Sequence, residues 1–479
     1  MMDKPGNHFP AHGIEKNILF RPEVAGHTAG NARRFRSYMK AKHWILVLLA
    51  LTAGLGFSGC SHAATPTPPP TATISPTAPT ATVNPDAAGE FVSVVDGKFM
   101  LAGEQYYFVG ANFWQGMNLG VNDASGDRAQ LGKELDHLRE LGVTNLRVMA
   151  SSEGPDTEPH RMVPSLEPAP GEYNQNVLDG MDYLLAQMGK RGMRAVMVLN
   201  NFWYWSGGMA QYVSWSDGSA IPYPGDYNAY MEYTSRFYYC QQCQTLYRNH
   251  IQAMIQRVNA YSGLAYRDDP AIFSWELANE PRRYPQEWIS GTAAYIKSLD
   301  PNHMITTGSE GTPPGETIDF LATHGDPNID YATIHIWPQN WGWYDPQNPS
   351  TYNAAEGRAH LYFANRAADA LALKKPLVLE EFGLARDWEP LHDLYDVGSR
   401  TTYRDRFYKA MYDQVYASMT SGGPAGGDNF WAWAGQARPG DPWIGDPPHE
   451  TAGWYSVYDT DPSTLTIISN HARDVASLP

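Results

Sequence analysis

Ile272-Phe273-Ser274-Trp275-Glu276-Leu277-Ala278-Asn279-Glu280-Pro281 is a short apolar run that ends abruptly in polar residues, and Pro376-Leu377-Val378-Leu379-Glu380-Glu381-Phe382-Gly383 repeats the pattern further along. Short apolar runs bounded by Pro or Gly read as buried strands. Pro281 ends the first by fixing φ and removing a backbone donor. Six more runs of this kind occupy residues 106–113, 145–150, 195–200, 304–308, 331–337 and 428–433, which makes eight. Amphipathic helical stretches fit between them, such as 131–141 and 176–191, the latter apolar at Val177, Met181, Leu184, Leu185 and Met188. This alternation predicts an α/β fold with a parallel sheet. A doubly wound sheet and a (β/α)8 TIM barrel both satisfy it. The ends of the runs favour the barrel, because polar residues gather there: Arg147, Asn200, Asn201, Asn279, Glu280, His335, Glu381 and Trp431. In a barrel those C-terminal ends converge on one axial pocket.

No second linker interrupts the pattern from residue 89 onward, so 89–479 is read as a single catalytic domain. The stretch before it has a different character. Residues 39–59 form a basic start, an apolar run and a small-residue exit ending before Cys60, the layout of a secretory signal. The cysteine placement resembles a bacterial lipoprotein signal, with lipidation at Cys60 expected ahead of an ordinary cleaved signal or an uncleaved anchor. Residues 60–88 are rich in Thr and Pro and read as an extended spacer. Residues 1–38 read as an early start codon or an N-terminal extension, with Arg33-Arg34 leaving a twin-arginine reading open. Together these features predict an extracellular body, lipid-anchored at the bacterial cell surface, and a monomer.

The formal net charge of −16 argues against a nucleic-acid partner, which needs a basic face. Aromatic residues make up 13% of the chain, enough to supply flat platforms for an uncharged ligand such as a sugar as well as a core. Cys240 and Cys243 are spaced C-x-x-C without the second ligand pair of a zinc site, and are read as a local disulfide or two inert thiols. No metal or organic cofactor is expected.

The chemistry rests on two glutamates. A carboxyl group at the mouth of a buried strand is desolvated and can be tuned as an acid, while a second across the cleft stays ionised as nucleophile or base. Glu280 and Glu381 hold those positions, and such a pair suits glycosidic bond cleavage. Strand alternation points only one of Glu380 and Glu381 inward. Glu381 is preferred, with Glu380 the alternative. Glu276 lies on the same strand face as Glu280, deeper, and is read as ion-paired. Arg147 would be costly to bury without anionic partners, and bidentate bonds to Glu381 are its expected role.

From about residue 91 to 454 the chain resembles the retaining glycoside hydrolase family 5, and within it the endo-β-1,4-mannanases. The stretches that carry the resemblance are Leu199-Asn200-Asn201-Phe202-Trp203, Gly207-Gly208-Met209-Ala210-Gln211-Tyr212-Val213, Tyr266-Arg267-Asp268-Asp269-Pro270, Ala278-Asn279-Glu280-Pro281-Arg282, the His335 run and Glu381-Phe382-Gly383. It implies Glu280 as acid/base on the fourth strand and Glu381 as nucleophile on the seventh. It implies further that Asn279 bonds the sugar 2-hydroxyl, that Arg147 and His335 sit beside the nucleophile, and that Asn201, Trp114, Trp337 and Trp431 bind substrate. The family often has a tyrosine where this chain has Trp337, and an indole keeps a donor while losing the hydroxyl acceptor. Trp433 is the alternative to Trp431 as the aromatic floor. The implied partner is β-mannan or manno-oligosaccharide, cleaved with retention, with the carboxyls ~5–5.5 Å apart and the pKa raised for Glu280 and low for Glu381. Two alternatives stand beside it: a β-1,4-glucanase or cellulase of the same family, and a non-catalytic carbohydrate-binding lipoprotein.

Overall fold

The computed structural model describes residues 91–479, and the expected signal segment, Cys60 and the Thr/Pro spacer lie outside them. Eight parallel strands form the central sheet: β1 (Phe108–Asn112), β2 (Asn145–Met149), β3 (Arg194–Val198), β4 (Ile272–Glu276), β5 (Met304–Thr306), β6 (Ala332–Ile336), β7 (Leu377–Phe382) and β8 (Ala425–Phe430). Their order is β5-β4-β3-β2-β1-β8-β7-β6, a ring whose one open seam lies between β5 and β6. That seam is stitched by the Asp330 amide donating to the Ile305 carbonyl at 2.8 Å and by the Ile305 amide donating to Asp330 Oδ2 at 2.7 Å. The fold is a (β/α)8 barrel.

All eight apolar runs become strands, most of them a residue or more shorter than read. The last departs furthest. It begins at Ala425, three residues before the expected start, and ends before Trp431, which opens a cis peptide to Ala432. Helices Arg128–Glu140 and Gln175–Lys190 fall on the two predicted ones, and each is capped by a side chain, Asp127 or Asn174, that accepts from the first turn.

Below the barrel a three-stranded antiparallel sheet, Ser93–Val95, Lys98–Leu101 and Glu104–Gln105, closes the N-terminal end. Its Phe99 packs edge to face on Phe273 and Tyr331, at 5.2 and 5.4 Å between ring centroids. Phe108, Val196, Met304 and Val378 add to this apolar plug. Cys240 and Cys243 are disulfide-bonded at the start of helix Gln241–Ile255. Among the described residues no helix is long and apolar enough to cross a membrane.

Candidate active site

Arg147, on β2 and almost fully buried, is the hub of the C-terminal end. Its Nε and Nη2 bond both oxygens of Glu276 at 2.7 and 2.6 Å, so its bidentate partner is Glu276 and not Glu381 as expected. Glu381 instead receives a single bond from Nη1. The remaining donors reach Asn112 Oδ1 at 3.1 Å and Asn279 Oδ1 at 2.8 Å. A guanidinium has five donors, and here they reach four acceptor residues on β1, β4 and its end, and β7.

Both glutamates of β7 enter the barrel. The register against β6 shifts between Leu379, opposite Ile334, and Glu381, opposite His335, which makes Glu380 an extra residue in the strand. Such a bulge breaks the alternation that would have sent Glu380 outward. The Asn112 amide donates to the Glu380 carbonyl at 2.9 Å and pins the bulge. Glu380 is fully buried, with Oε2 3.4 Å from His335 Nε2 and 3.8 Å from Arg147 Nε.

Glu280 sits just past β4 with φ of +48°, a left-handed conformation that costs a non-glycine residue ~1–3 kcal/mol and clusters at functional sites. Its amide donates to the Gly308 carbonyl at 2.9 Å. Gly308 is required there, because a Cβ would stand 2.1 Å from the Ala278 carbonyl and 2.2 Å from Glu276 Oε1. The Glu280 carboxyl takes the Trp203 indole N–H on Oε2 and faces His335 Nδ1 at 2.8 Å from Oε1. Glu381 Oε2 lies 3.3 Å from the same Nδ1 and accepts from Trp337 Nε1 at 3.2 Å. One ligand-capable atom from each of Glu280, His335 and Glu381 lies within 4.8 Å of the other two. Trp337 thus gives Glu381 an N–H donor where a phenol was the family's expected group.

Burial raises the pKa of Glu280, and Arg282 is the largest opposing influence. Glu381 departs from expectation: burial pushes it up as well, against the pull of Arg147. Four carboxyl groups around one guanidinium cannot all ionise freely. The donors from Arg147 and Trp337 favour charge on Glu381, whereas Glu380 lies 3.8 Å from Arg147 and burial raises it well above the carboxylate range. Burial lowers His335 to about 3, which keeps the imidazole neutral.

Of the expected substrate ligands, Asn279 faces the cluster, with Nδ2 on Asn201 Oδ1 at 3.1 Å. Asn201 is spent on positioning: its Oδ1 also accepts from the Trp203 amide at 2.9 Å and its Nδ2 donates to Ser206 Oγ at 3.1 Å. Trp114 takes no part in the cluster. It is buried against Trp205 and Trp443, and its N–H goes to the Gly445 carbonyl at 2.8 Å. Trp431 meets Trp337 edge to face at 5.9 Å, whereas Trp433 points away and donates to Glu134.

Several residues at the site escaped the sequence reading. Trp203 bonds Glu280, and the Arg282 guanidinium lies 4.9 Å from the centre of its ring. Arg282 bonds Glu310 at 2.8 Å, and burial raises Glu310 to about 7. Glu310 follows the end of β5, where the rule of polar strand ends could have found it. The segment 436–456 after β8 brings in His449 and Glu450. The His449 ring lies parallel to Trp205, at 6.3 Å between centroids, and Tyr455 at the far end of the segment bonds Asn340 beyond β6. Glu450 Oε2, His449 Nδ1, Trp431 Nε1 and Trp454 Nε1 are buried polar atoms without a protein partner.

Two carboxyl groups at this separation, one flanked by cationic and N–H donors and one desolvated, are the equipment for acid-assisted displacement at an acetal carbon. The glycoside hydrolase family 5 β-mannosidase-like sequence pattern matches residues 89–479. The chain belongs to glycoside hydrolase family 5. A family 5 mannosidase from Rhizomucor miehei is 40% identical with a TM-score of 0.78, covering 81% of this chain and 98% of that one. A putative mannan endo-1,4-β-mannosidase 9 from Oryza sativa subsp. japonica is 32% identical, covering 82% of this chain and 91% of its own. The endo-1,4-β-mannanase of Rhizomucor miehei, 24% identical with a TM-score of 0.60, shares the family 5 fold.

Proposed function

We propose that the protein hydrolyses β-1,4-mannosidic bonds in mannan-derived chains by double displacement with retention. The observation that carries this reading is the close approach of Glu280 and Glu381, whose nearest ligand atoms lie within 4.8 Å. Inverting enzymes need ~6.5–9.5 Å between carboxyls to admit water, and retaining ones ~5–5.5 Å. Glu381 attacks the anomeric carbon while Glu280 gives its proton to the leaving oxygen. Glu280 then removes a proton from water, which attacks the same carbon and frees Glu381. Arg147 and Trp337 hold the nucleophile, Trp203 and His335 hold the acid, and Asn279 is aimed at the sugar bound over Glu381. Mannose, rather than glucose, is favoured by the names of the relatives, one of which is a mannosidase mutant in complex with mannosyl-fructose.

The segment 436–456 bears on where the chain is cut. Glu280 protonates the departing sugar, so that sugar lies towards β4 and β5, and the sugar that stays lies over Glu381 and Trp431. The segment borders that second side through Tyr455, which packs on Trp337 at 4.9 Å, and reaches Trp205 through His449. A glycone end bordered in this way favours removal of single mannosyl units or short pieces from chain ends. Internal cutting, the expectation from sequence, is the second reading, supported by endo-mannosidases among the relatives.

The test is product analysis on β-1,4-mannohexaose, galactomannan and carboxymethylcellulose. Release of mannose with little loss of galactomannan viscosity supports chain-end action, and a rapid fall in viscosity with mixed oligomers supports endo action. Activity on cellulose alone contradicts the mannan reading, and undiminished activity in both Glu280→Gln and Glu381→Ala contradicts the site. Export with lipid attachment at Cys60 is proposed on the sequence signal, and is tested by radiolabelled palmitate incorporation in wild type against Cys60→Ala.

A further inference from the structure

Glu380 is a buried ionisable group beside the catalytic pair that the mechanism leaves without a task. We propose that Glu280, His335 and Glu380 form one proton relay, in which the imidazole passes a single proton between two carboxyl groups and Glu380 is the second home of the acid's proton. The inference rests on the reading of Glu280 as acid/base.

The geometry is linear in connectivity. Glu280 Oε1 is 2.8 Å from His335 Nδ1, and His335 Nε2 is 3.4 Å from Glu380 Oε2. A neutral imidazole has one donor nitrogen and one acceptor nitrogen. When Glu280 holds the proton it carries it on Oε1, since Oε2 takes the Trp203 N–H, and it donates to Nδ1. Nε2–H then donates to an ionised Glu380. When the proton moves, the O–H bond of Glu280 breaks and Nδ1–H forms, while Nε2–H breaks and an O–H bond forms on Glu380. Charge and proton number are conserved, and Nδ1–H is left facing both Glu280 and Glu381 at 2.8 and 3.3 Å.

Glu276, whose oxygens both bond Arg147, also faces Glu380 within hydrogen-bonding reach, and Arg147 is 3.8 Å from Glu380, beyond a normal hydrogen bond. Tyr331 at the start of β6 and Glu381 also face Glu380, while Glu310 and Arg282 face His335. Two carboxyls sharing one proton give it up together, at a pKa raised by the charge that stays behind.

The alkaline limb of kcat/KM on β-1,4-mannotriose therefore belongs to the pair. In Glu380→Gln the like charge is gone and the limb moves down by about one pH unit, read as roughly a tenfold fall in kcat/KM on the alkaline side. A limb that stays in place overturns the relay. Nitrogen-15 NMR of histidine-labelled wild type is the companion measurement, which needs no Glu380 variant to fold. A neutral His335 with its proton averaged over both nitrogens, fixed on one nitrogen in Glu280→Gln, is the expected result. An imidazolium, or the same single tautomer in both proteins, overturns it. Persisting hydrolysis by Glu280→Gln would instead remove the acid/base reading, and is seen in a separate assay.

Discussion

At the N-terminal end of the eight strands Phe99, Phe108, Phe273 and Tyr331 fill the barrel with tilted and edge-to-face rings. At the C-terminal end the same cross-section holds Glu276, Glu280, Glu380, Glu381, Arg147 and His335, all buried. The first end is held by apolar area and shape, and tolerates loss in proportion to volume. The second is held by mutual neutralisation, and the loss of one partner leaves others charged and unpaired. The fold therefore draws stability from one end and stores reactive groups at the other.

Glu381→Ala should break the comparison most sharply, with kcat falling on the order of 10⁴-fold or more while the melting temperature changes little, because Glu276 still neutralises Arg147 and one of the crowded carboxyls is gone, as steady-state kinetics and calorimetry would show. Arg147→Met comes next. Removing the hub leaves Glu276 and Glu381 without their guanidinium, and urea denaturation should show a loss of ~3–5 kcal/mol together with loss of activity. Phe99→Ala is the counterpart at the other end: a similar ~3–5 kcal/mol loss of stability from cavity formation, with kcat near that of wild type.

One contribution to the pH dependence of stability comes from the buried groups Glu153, in the loop after β2, and His250. Burial raises Glu153 to about 8, so the folded protein binds its proton more tightly than the unfolded chain. That contribution is fully present below the unfolded carboxyl value and is lost as pH rises through about 8. Burial lowers His250 to about 4, the opposite case, and its contribution is lost as pH falls from its ordinary value through about 4. The melting temperature of Glu153→Gln should fall less than that of wild type between about pH 6 and 9. An equal fall in both would show that another group governs the alkaline side.

The barrel was legible because each strand is a compact apolar run ending in polar residues, and only a closed ring gives those ends a common pocket. Glu280 and the ion-paired role of Glu276 were legible for the same reason. Glu380 was not, because the period-2 rule assumes an unbroken ladder and the bulge after Leu379 is fixed by Asn112, far away in sequence. The need of Arg147 for anions is legible in its apolar strand, but which carboxylate it chelates depends on strand order and depth. Trp203, His449 and Glu450 lie on loops whose paths are set by tertiary contacts, and no local periodicity announces them. Trp114 shows the converse, an aromatic at a strand end that the fold spends on packing against Trp205 and Trp443.

The division of labour between the carboxyls is tested most directly by trapping the glycosyl-enzyme. Incubation with 2-deoxy-2-fluoro-β-mannosyl fluoride, followed by proteolysis and mass spectrometry, should place one sugar on the side chain of Glu381. A sugar on Glu380 or Glu280, or turnover with inversion and no covalent adduct, would contradict the account.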